Sequence, residues 1–175
     1  DALISDYFNK ITKSFFPKKK IIYGSLNEKL RYGENPHQES AIYSKNRFLN
    51  LKQLHGKDLS YNNYNDIFAG LDILYSEKKL PSTIIIKHAN PCGAASNKSP
   101  LKSFLNAQAS DPVSAFGGIV ACSYKINSKI ALEINKTFFE VILANGFENK
   151  ALKILKKKKN MRIIDISKMN YKSNI

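Results

Sequence analysis

"TIIIKHANPCG", residues 83–93, is the stretch from which the fold is read. Ile84, Ile85 and Ile86 run without a break into Lys87 and His88, and Pro91 and Gly93 follow. A short β-branched run that is apolar at odd and even positions alike suits a strand buried on both faces, and the pattern predicts a parallel one. In a continuing strand, side chains 87 and 88 would point to opposite sides of the sheet. Pro91 and Gly93 predict instead that the chain leaves the strand near His88, so that both side chains overlook one crevice. The carboxyl ends of strands are where open α/β sheets usually bind ligands. There an imidazole suits a general base or acid, and an ammonium meets negative charge developing on oxygen. A quieter reading stays open on the dipeptide alone: a lysine that caps the strand and a histidine that satisfies loop carbonyls.

Apolar and polar segments alternate on either side of this strand. Upstream, Leu3, Ile4, Tyr7, Phe8, Ile11 and Phe15 keep helical spacing, and Pro17 ends that helix near Phe16. A chain that opens inside such a helix is expected to be a piece of something longer. Ala41, Ile42 and Tyr43 can begin a strand, and a helix is predicted from about Tyr64 to Lys78, with Ile67, Phe68, Leu71 and Leu74 on its apolar side. Downstream, Ser99 and Pro100 read as an N-cap and first helical residue before "LKSFLNAQA". "SDPVSAFGG" reads as a loop, "IVACSY" as a strand, "SKIALEINKTF" as a helix, "EVILA" as a strand, "ENKALKILKKKK" as a helix with a basic end and "MRIIDIS" as a strand. Strands alternating with helices at this spacing predict a single α/β domain of layered type over residues 1–175.

Composition narrows the function classes. Of the 175 residues 43% are apolar, which is ordinary for a globular domain, and no apolar run approaches the ~20 residues of a membrane span. The formal net charge of +14 invites a nucleic-acid reading. Nearly all of that charge is lysine, however, and Arg31, Arg47 and Arg162 are the only arginines, so the residue best suited to bidentate recognition is scarce. Cys92 and Cys122 lie far apart and form no CxxC pair, which argues against a disulfide framework and for a reducing, cytoplasmic setting.

Two further stretches carry candidate chemistry. In "LRYGENPHQ", residues 30–38, Arg31 beside a tight turn could clamp phosphate or carboxylate, but taken alone the stretch is better explained as an exposed hairpin or loop. In "SDPVSAFGGIVA", residues 110–121, Asp111-Pro112 and Gly117-Gly118 bracket Ser114 and Phe116. Glycines there permit close backbone approach to a ligand, or simply turn the chain into a core strand. The absence of GK[ST] excludes a P-loop.

"LRYGENPHQ", "LHGKDLSYNN", "IIIKHANPCGAA", "SDPVSAFGGIVA" and "ANGFENKALKILKKKKN", in this order, resemble the transformylase region of the bifunctional AICAR transformylase/IMP cyclohydrolase family, in a bacterial version. The resemblance covers about residues 1–165. It implies a three-layer α/β/α, cytidine deaminase-like subdomain, the first half of the transformylase region, with the cyclohydrolase domain and second transformylase half absent from this chain. It implies formyl transfer from the co-substrate 10-formyltetrahydrofolate to the AICAR nucleotide in purine biosynthesis. His88 is then the proton acceptor and donor and Lys87 stabilises the transition state. Arg31, Tyr32, His88, Phe116, Gly117 and Glu140 contact AICAR, although some relatives carry Asp at the last position. It further implies a homodimer, with most folate contacts outside this chain, and very low or no turnover by this chain alone. No metal is expected: "HAN" stands where zinc deaminases need H-x-E, and Cys92 is followed by Gly-Ala-Ala where they need the second cysteine of PCxxC. The alternatives are a basic, non-catalytic α/β nucleic-acid-binding module and an inactive gene product that retains only subunit association.

Overall fold

The strand β4 (Ser82–Lys87) is buried from Ser82 to Ile86 and emerges only at Lys87. In the computed structural model, which describes residues 24–44, 51–76, 79–169 and 171, it lies inside a six-stranded sheet ordered β3-β8-β7-β6-β4-β5. The other strands of that sheet are β3 (Lys52–His55), β5 (Asn90–Ser96), β6 (Ile119–Cys122), β7 (Val141–Ala144) and β8 (Arg162–Asp165). The isoleucines of β4 divide between the two sides of the sheet as a period of two requires. Ile84 and Ile86 join one core cluster and Ile85 the other.

Helices cover both sides, which is why no position in the isoleucine run is polar. The helix α1 (Tyr61–Ser76) lays Ile67, Leu71 and Leu74 against Ile84 and Ile86. Gly70 brings it close, since a Cβ there would sit 3.3 Å from Ile86. Opposite it, α2 (Pro100–Ser110), α4 (Ser128–Asn135) and α5 (Asn149–Leu155) surround Ile85 and Val120 with Phe104, Ile130, Ile134 and Leu155. The mixed α/β class is thus as predicted. Between α2 and β6 the expected loop contains a single helical turn, α3 (Pro112–Ala115), capped by the Asp111 carboxylate.

The direction of β4 differs from the expectation. It pairs antiparallel with both neighbours, β5 and β6, and only β6, β7 and β8 run parallel to one another. Burial on both faces follows from the helix layers and says nothing about strand direction. What sets the direction is the connection: Lys87 pairs with Asn90 across a two-residue turn, and so short a link can join only antiparallel strands. Pro91 is tolerated because β5 is an edge strand. The register jumps from Ile85–Gly93 to Ile86–Pro91, which leaves Cys92 as a bulged residue. Gly93 is needed where it stands, since a Cβ would meet the Ala107 carbonyl oxygen of α2 at 2.0 Å.

Three strands were not foreseen: β5, which returns along β4, and two more. β3 pairs with β8 at the far edge, and β1 (Ser25–Leu30) pairs with β2 (Ser40–Ser44) in a separate hairpin. The Tyr64 hydroxyl fastens that hairpin to α1 by donating to Glu28 at 3.0 Å. The predicted helix over residues 3–16 lies outside the described residues, as do positions 77–78 at the end of the predicted Tyr64–Lys78 helix. That helix starts three residues earlier than expected. Ser60 and Asn63 cap it reciprocally: the Asn63 amide N–H donates to Ser60 Oγ at 3.3 Å, and the Ser60 N–H to Asn63 Oδ1 at 3.2 Å.

Ile85 is fully buried in the core on the α2, α4 and α5 side of the sheet. Ile85→Ala is expected to lower the unfolding free energy by about 2–5 kcal/mol in urea denaturation. Leu132→Ala, at a residue 55% exposed, should change it by no more than about 0.5 kcal/mol.

Candidate active site

The isoleucines end at the sheet boundary, so the next two residues are the first that can be polar. Lys87 is the last residue of β4 and His88 the first of the turn. Both line one cleft of about 490 Å³, together with Asn90, Pro91, Cys92, Asp111 and Ser114. The turn resolves the opposite-face problem. His88 has φ 54° and Ala89 φ 57°, the signs of a type I′ hairpin. Such turns normally carry Asn and Gly, and two L-residues in this region cost about 1–2 kcal/mol each.

A side chain from α1 offsets that strain. Asp66 Oδ1 accepts the Ala89 N–H at 2.7 Å, and Asn90 Nδ2 closes the turn on the His88 carbonyl at 2.8 Å. A hydrogen bond to a charged acceptor contributes about 1.5–3 kcal/mol, comparable with the strain. Burial pushes the Asp66 carboxyl above the ordinary carboxylate range, and the charge of Glu140 adds to it. The Ala89 amide, the charge of His88 and the His88 amide act in the opposite direction.

The Lys87 ammonium donates to the Phe116 carbonyl at 2.9 Å, which ties the cleft to the turn before β6. An ammonium has three donors, so two remain for a ligand. Beside it, Gly117 takes φ 78° and donates its N–H to the Phe138 carbonyl at 2.8 Å. The Phe116 ring, 58% exposed, leans on Phe138 with centroids 5.6 Å apart. On the cleft's other wall, the Ser114 side chain and amide hold the Asp111 carboxyl below its usual range. The Cys92 thiol faces the Ile85 carbonyl at 3.5 Å, and burial pushes it up.

Glu140 immediately precedes β7. Its Oε2 accepts from Asn63 Nδ2 at 3.1 Å and lies 3.9 Å from Arg162 Nη1. Its effect on Asp66 places it in the electrostatic neighbourhood of the His88 turn, although it does not line the cleft. Arg31 and Tyr32 stand in the β1–β2 hairpin loop, with the guanidinium 4.8 Å over the Tyr32 ring and Nη2 donating to its hydroxyl at 3.2 Å. They are not among the cleft residues. The structure therefore brings Lys87 and His88 together, joins Phe116 to them through its carbonyl, sets Gly117 beside that contact and Glu140 on the Asp66 side, and leaves Arg31 and Tyr32 apart.

The expectation of a site at the carboxyl ends of the strands needs correction. Lys87 ends β4, but Gly118, Glu140 and Arg162 stand where the parallel strands β6, β7 and β8 begin. Because β4 is antiparallel to β6, its exit coincides with their amino ends, and the rule for parallel sheets does not apply.

Sequence reasoning missed Asp66, Asn63 and Arg162. A signal did exist for one of them. Asn63 occupies the stripe Asn63, Ile67, Gly70, Leu71, Leu74, where an apolar residue belongs, and it is 5% exposed. An amide buried on a core stripe must have a partner, and here the partners are Ser60 and Glu140.

Comparison with known proteins bears on this arrangement. The model of the AICARFT/IMPCHase bienzyme family matches residues 1–175. The chain belongs to this family. Three curated relatives are each named bifunctional purine biosynthesis protein PurH. The one from Elusimicrobium minutum is 44% identical over 164 residues, 94% of this chain and 32% of its own. That of Listeria monocytogenes (serotype 4a) is 42% identical over 95% of this chain and 33% of its own, and that of Oceanobacillus iheyensis 40% identical over 99% and 35%. The chain thus spans about a third of the length of the curated relatives it matches. Among solved structures, one described as a formate dehydrogenase accessory protein from Desulfotalea psychrophila overlaps 80% of this chain and 64% of its own. Its TM-score is 0.49 and its identity 9%, which carries no argument about fold or function.

The raised Asp66 carboxyl makes a signed prediction. Between pH 3.8 and its raised folded value, the folded state holds the proton more tightly than the unfolded chain, so this group's contribution to stability falls as pH rises through that window. Asp66→Asn keeps an oxygen acceptor and removes the titration. The unfolding free energy of the wild type minus that of Asp66→Asn should decline with rising pH through the window and stay flat beyond it, as read from urea melts over a pH series.

Proposed function

We propose that this chain supplies the reacting wall of an AICAR transformylase site, with His88 as proton acceptor and donor and Lys87 as the cation for the oxyanion. The observation that carries the reading is that both groups line one cleft at the exit of β4. Family membership supports the substrate pair, AICAR and 10-formyltetrahydrofolate.

The chemistry explains why two groups are needed. The 5-amino group of AICAR is conjugated with an imidazole carboxamide and is a poor nucleophile. Its nitrogen attacks the formyl carbon, and its proton passes to the His88 imidazole. The formyl oxygen becomes an oxyanion, which the Lys87 ammonium meets with one of the donors not committed to Phe116. Collapse breaks the bond from carbon to N10 of the folate, and the imidazole returns the proton to that nitrogen. Phe116, Gly117 and Glu140 contact the nucleotide in this reading, and Arg31 and Tyr32 hold it from the hairpin.

The finer fold reading is a cytidine deaminase-like, three-layer subdomain forming the first half of the transformylase region and active as a homodimer in a cytoplasmic protein. Helices on both faces of a mixed sheet support the layered form. Zinc chemistry of the deaminase type finds no donor set at this turn. Cys92 has no cysteine neighbour for a ligand, and Cys122 is sealed in the core, its thiol pushed up to about 12 by burial. Among the described residues, no cluster of His, Cys, Asp and Glu could hold a metal ion, and no helix is long and apolar enough to cross a membrane.

His88→Ala in the intact protein carrying this segment should lower AICAR-dependent turnover by about 10²- to 10⁴-fold. Its urea midpoint should barely move, because the side chain is exposed. Turnover that survives the change removes the base assignment. Assayed by itself, this chain is expected to show no AICAR-dependent consumption of 10-formyltetrahydrofolate; a measurable rate would show that the cleft suffices without the remaining length of its relatives.

A further inference from the structure

The Lys87–Asn90 ladder pair closes the turn in "KHANP", but the two residues within it are poorly suited to its conformation. His88 and Ala89 both sit at positive φ without the glycine or asparagine that would make this conformation easy. An unrestrained turn of this composition would relax toward ordinary φ and swing the imidazole away from Lys87. The groups that oppose this are few. Asn90 Nδ2 reaches the His88 carbonyl from within the hairpin, and Asp66 Oδ1 takes the Ala89 N–H from a different element, α1.

Asp66 is well placed for the task. It lies one position before Ile67, which is fully buried against the sheet, so its backbone is anchored by core packing. Its carboxylate carries no ion pair with a Lys or Arg among the described residues, which leaves it to the turn. Two charged groups face it: His88 on the turn and Glu140 ahead of β7, the latter occupied with Asn63 and Arg162.

We propose that Asp66 is the positioning residue for His88: by accepting the Ala89 N–H from the rigid helix α1, it locks the left-handed two-residue turn and fixes the imidazole over the cleft beside Lys87. The proposal rests on the formyl-transfer reading for its catalytic consequence, but not for its structural content.

Two measurements test it. In this chain, amide hydrogen exchange should show the Ala89 N–H losing protection at least about tenfold in Asp66→Ala, while the amides of the β4–β6 ladder keep theirs. In the intact protein, well below its melting temperature, Asp66→Ala should lower kcat by about 10- to 100-fold, with KM for AICAR changed less than about threefold. Asp66→Asn retains the acceptor oxygen and should recover kcat to within about tenfold of wild type. Unchanged protection of Ala89, a loss confined to KM, or an Asn variant as poor as the Ala variant each overturns the positioning role. If His88→Ala leaves turnover intact, formyl transfer through His88 fails, and the exchange result alone still decides whether Asp66 holds the turn.

Discussion

The burial of three consecutive isoleucines is the constraint on which the rest of the structure depends. Ile84 and Ile86 face α1 while Ile85 faces α2, α4 and α5, so the strand can neither slip by one residue nor tolerate charge before position 87. A one-residue slip would drive Ile85 into the space of Ile86 and reverse both faces at once. That rigidity fixes where the backbone leaves the sheet to within a residue, and Lys87 and His88 take their places from it. A lysine one position earlier would place its charge among buried apolar side chains.

The polar end of the sheet is assembled from elements that are remote in sequence but bonded at short range. Lys87 reaches the residue before Gly117, Asp66 reaches the turn after Lys87, and Asn63 and Arg162 converge on Glu140. Two of these links join the exit of β4 to the entry of β6 and to α1, and the other two join the entry of β7 to α1 and to the entry of β8. The arrangement is possible because β4 runs against β6. Had β4 been parallel, its last residue would lie beside the ends of β6 and β7, at the opposite edge from Gly118 and Glu140. The antiparallel hairpin is therefore what gathers these residues, and the His88–Ala89 turn is the strained joint that permits it.

Much of this was legible in the sequence. The β-branched run, the Ser99-Pro100 helix start and the alternation after Gly118 predicted β4, α2 and the β6-to-β8 succession, because local propensity and burial agree there. Strand direction was not legible. It depends on a two-residue turn built from His and Ala, and turn rules look for Asn-Gly at that position. β1 and β3 were missed for a different reason: β1 is exposed over most of its length and β3 over half of it, so neither carries the alternation that marks a buried face. Lys87 and His88 announced themselves by standing at the end of an apolar run. Asp66 did not, since a single acid on a helix looks like solvated surface until the turn beneath it is known.

The same physics bears on the net charge of +14. The basic run after α5 does not act as one patch. Lys156, Lys157 and Lys159 are exposed, but Lys158 folds back to donate to the Thr137 carbonyl at 2.6 Å, and partial burial lowers its ammonium. Of the two described arginines, Arg31 is stacked on Tyr32 while Arg162 donates to the Asp58 carbonyl at 3.3 Å and faces Glu140. Both described planar cations thus have partners within the fold. The lysine that matters for chemistry is set apart by position rather than by abundance. Lys87 stands at the mouth of a core strand, with one donor spent on a carbonyl and an imidazole as its immediate neighbour in the chain. Charge count is a property of composition, whereas reactivity here is a property of where the apolar run stops.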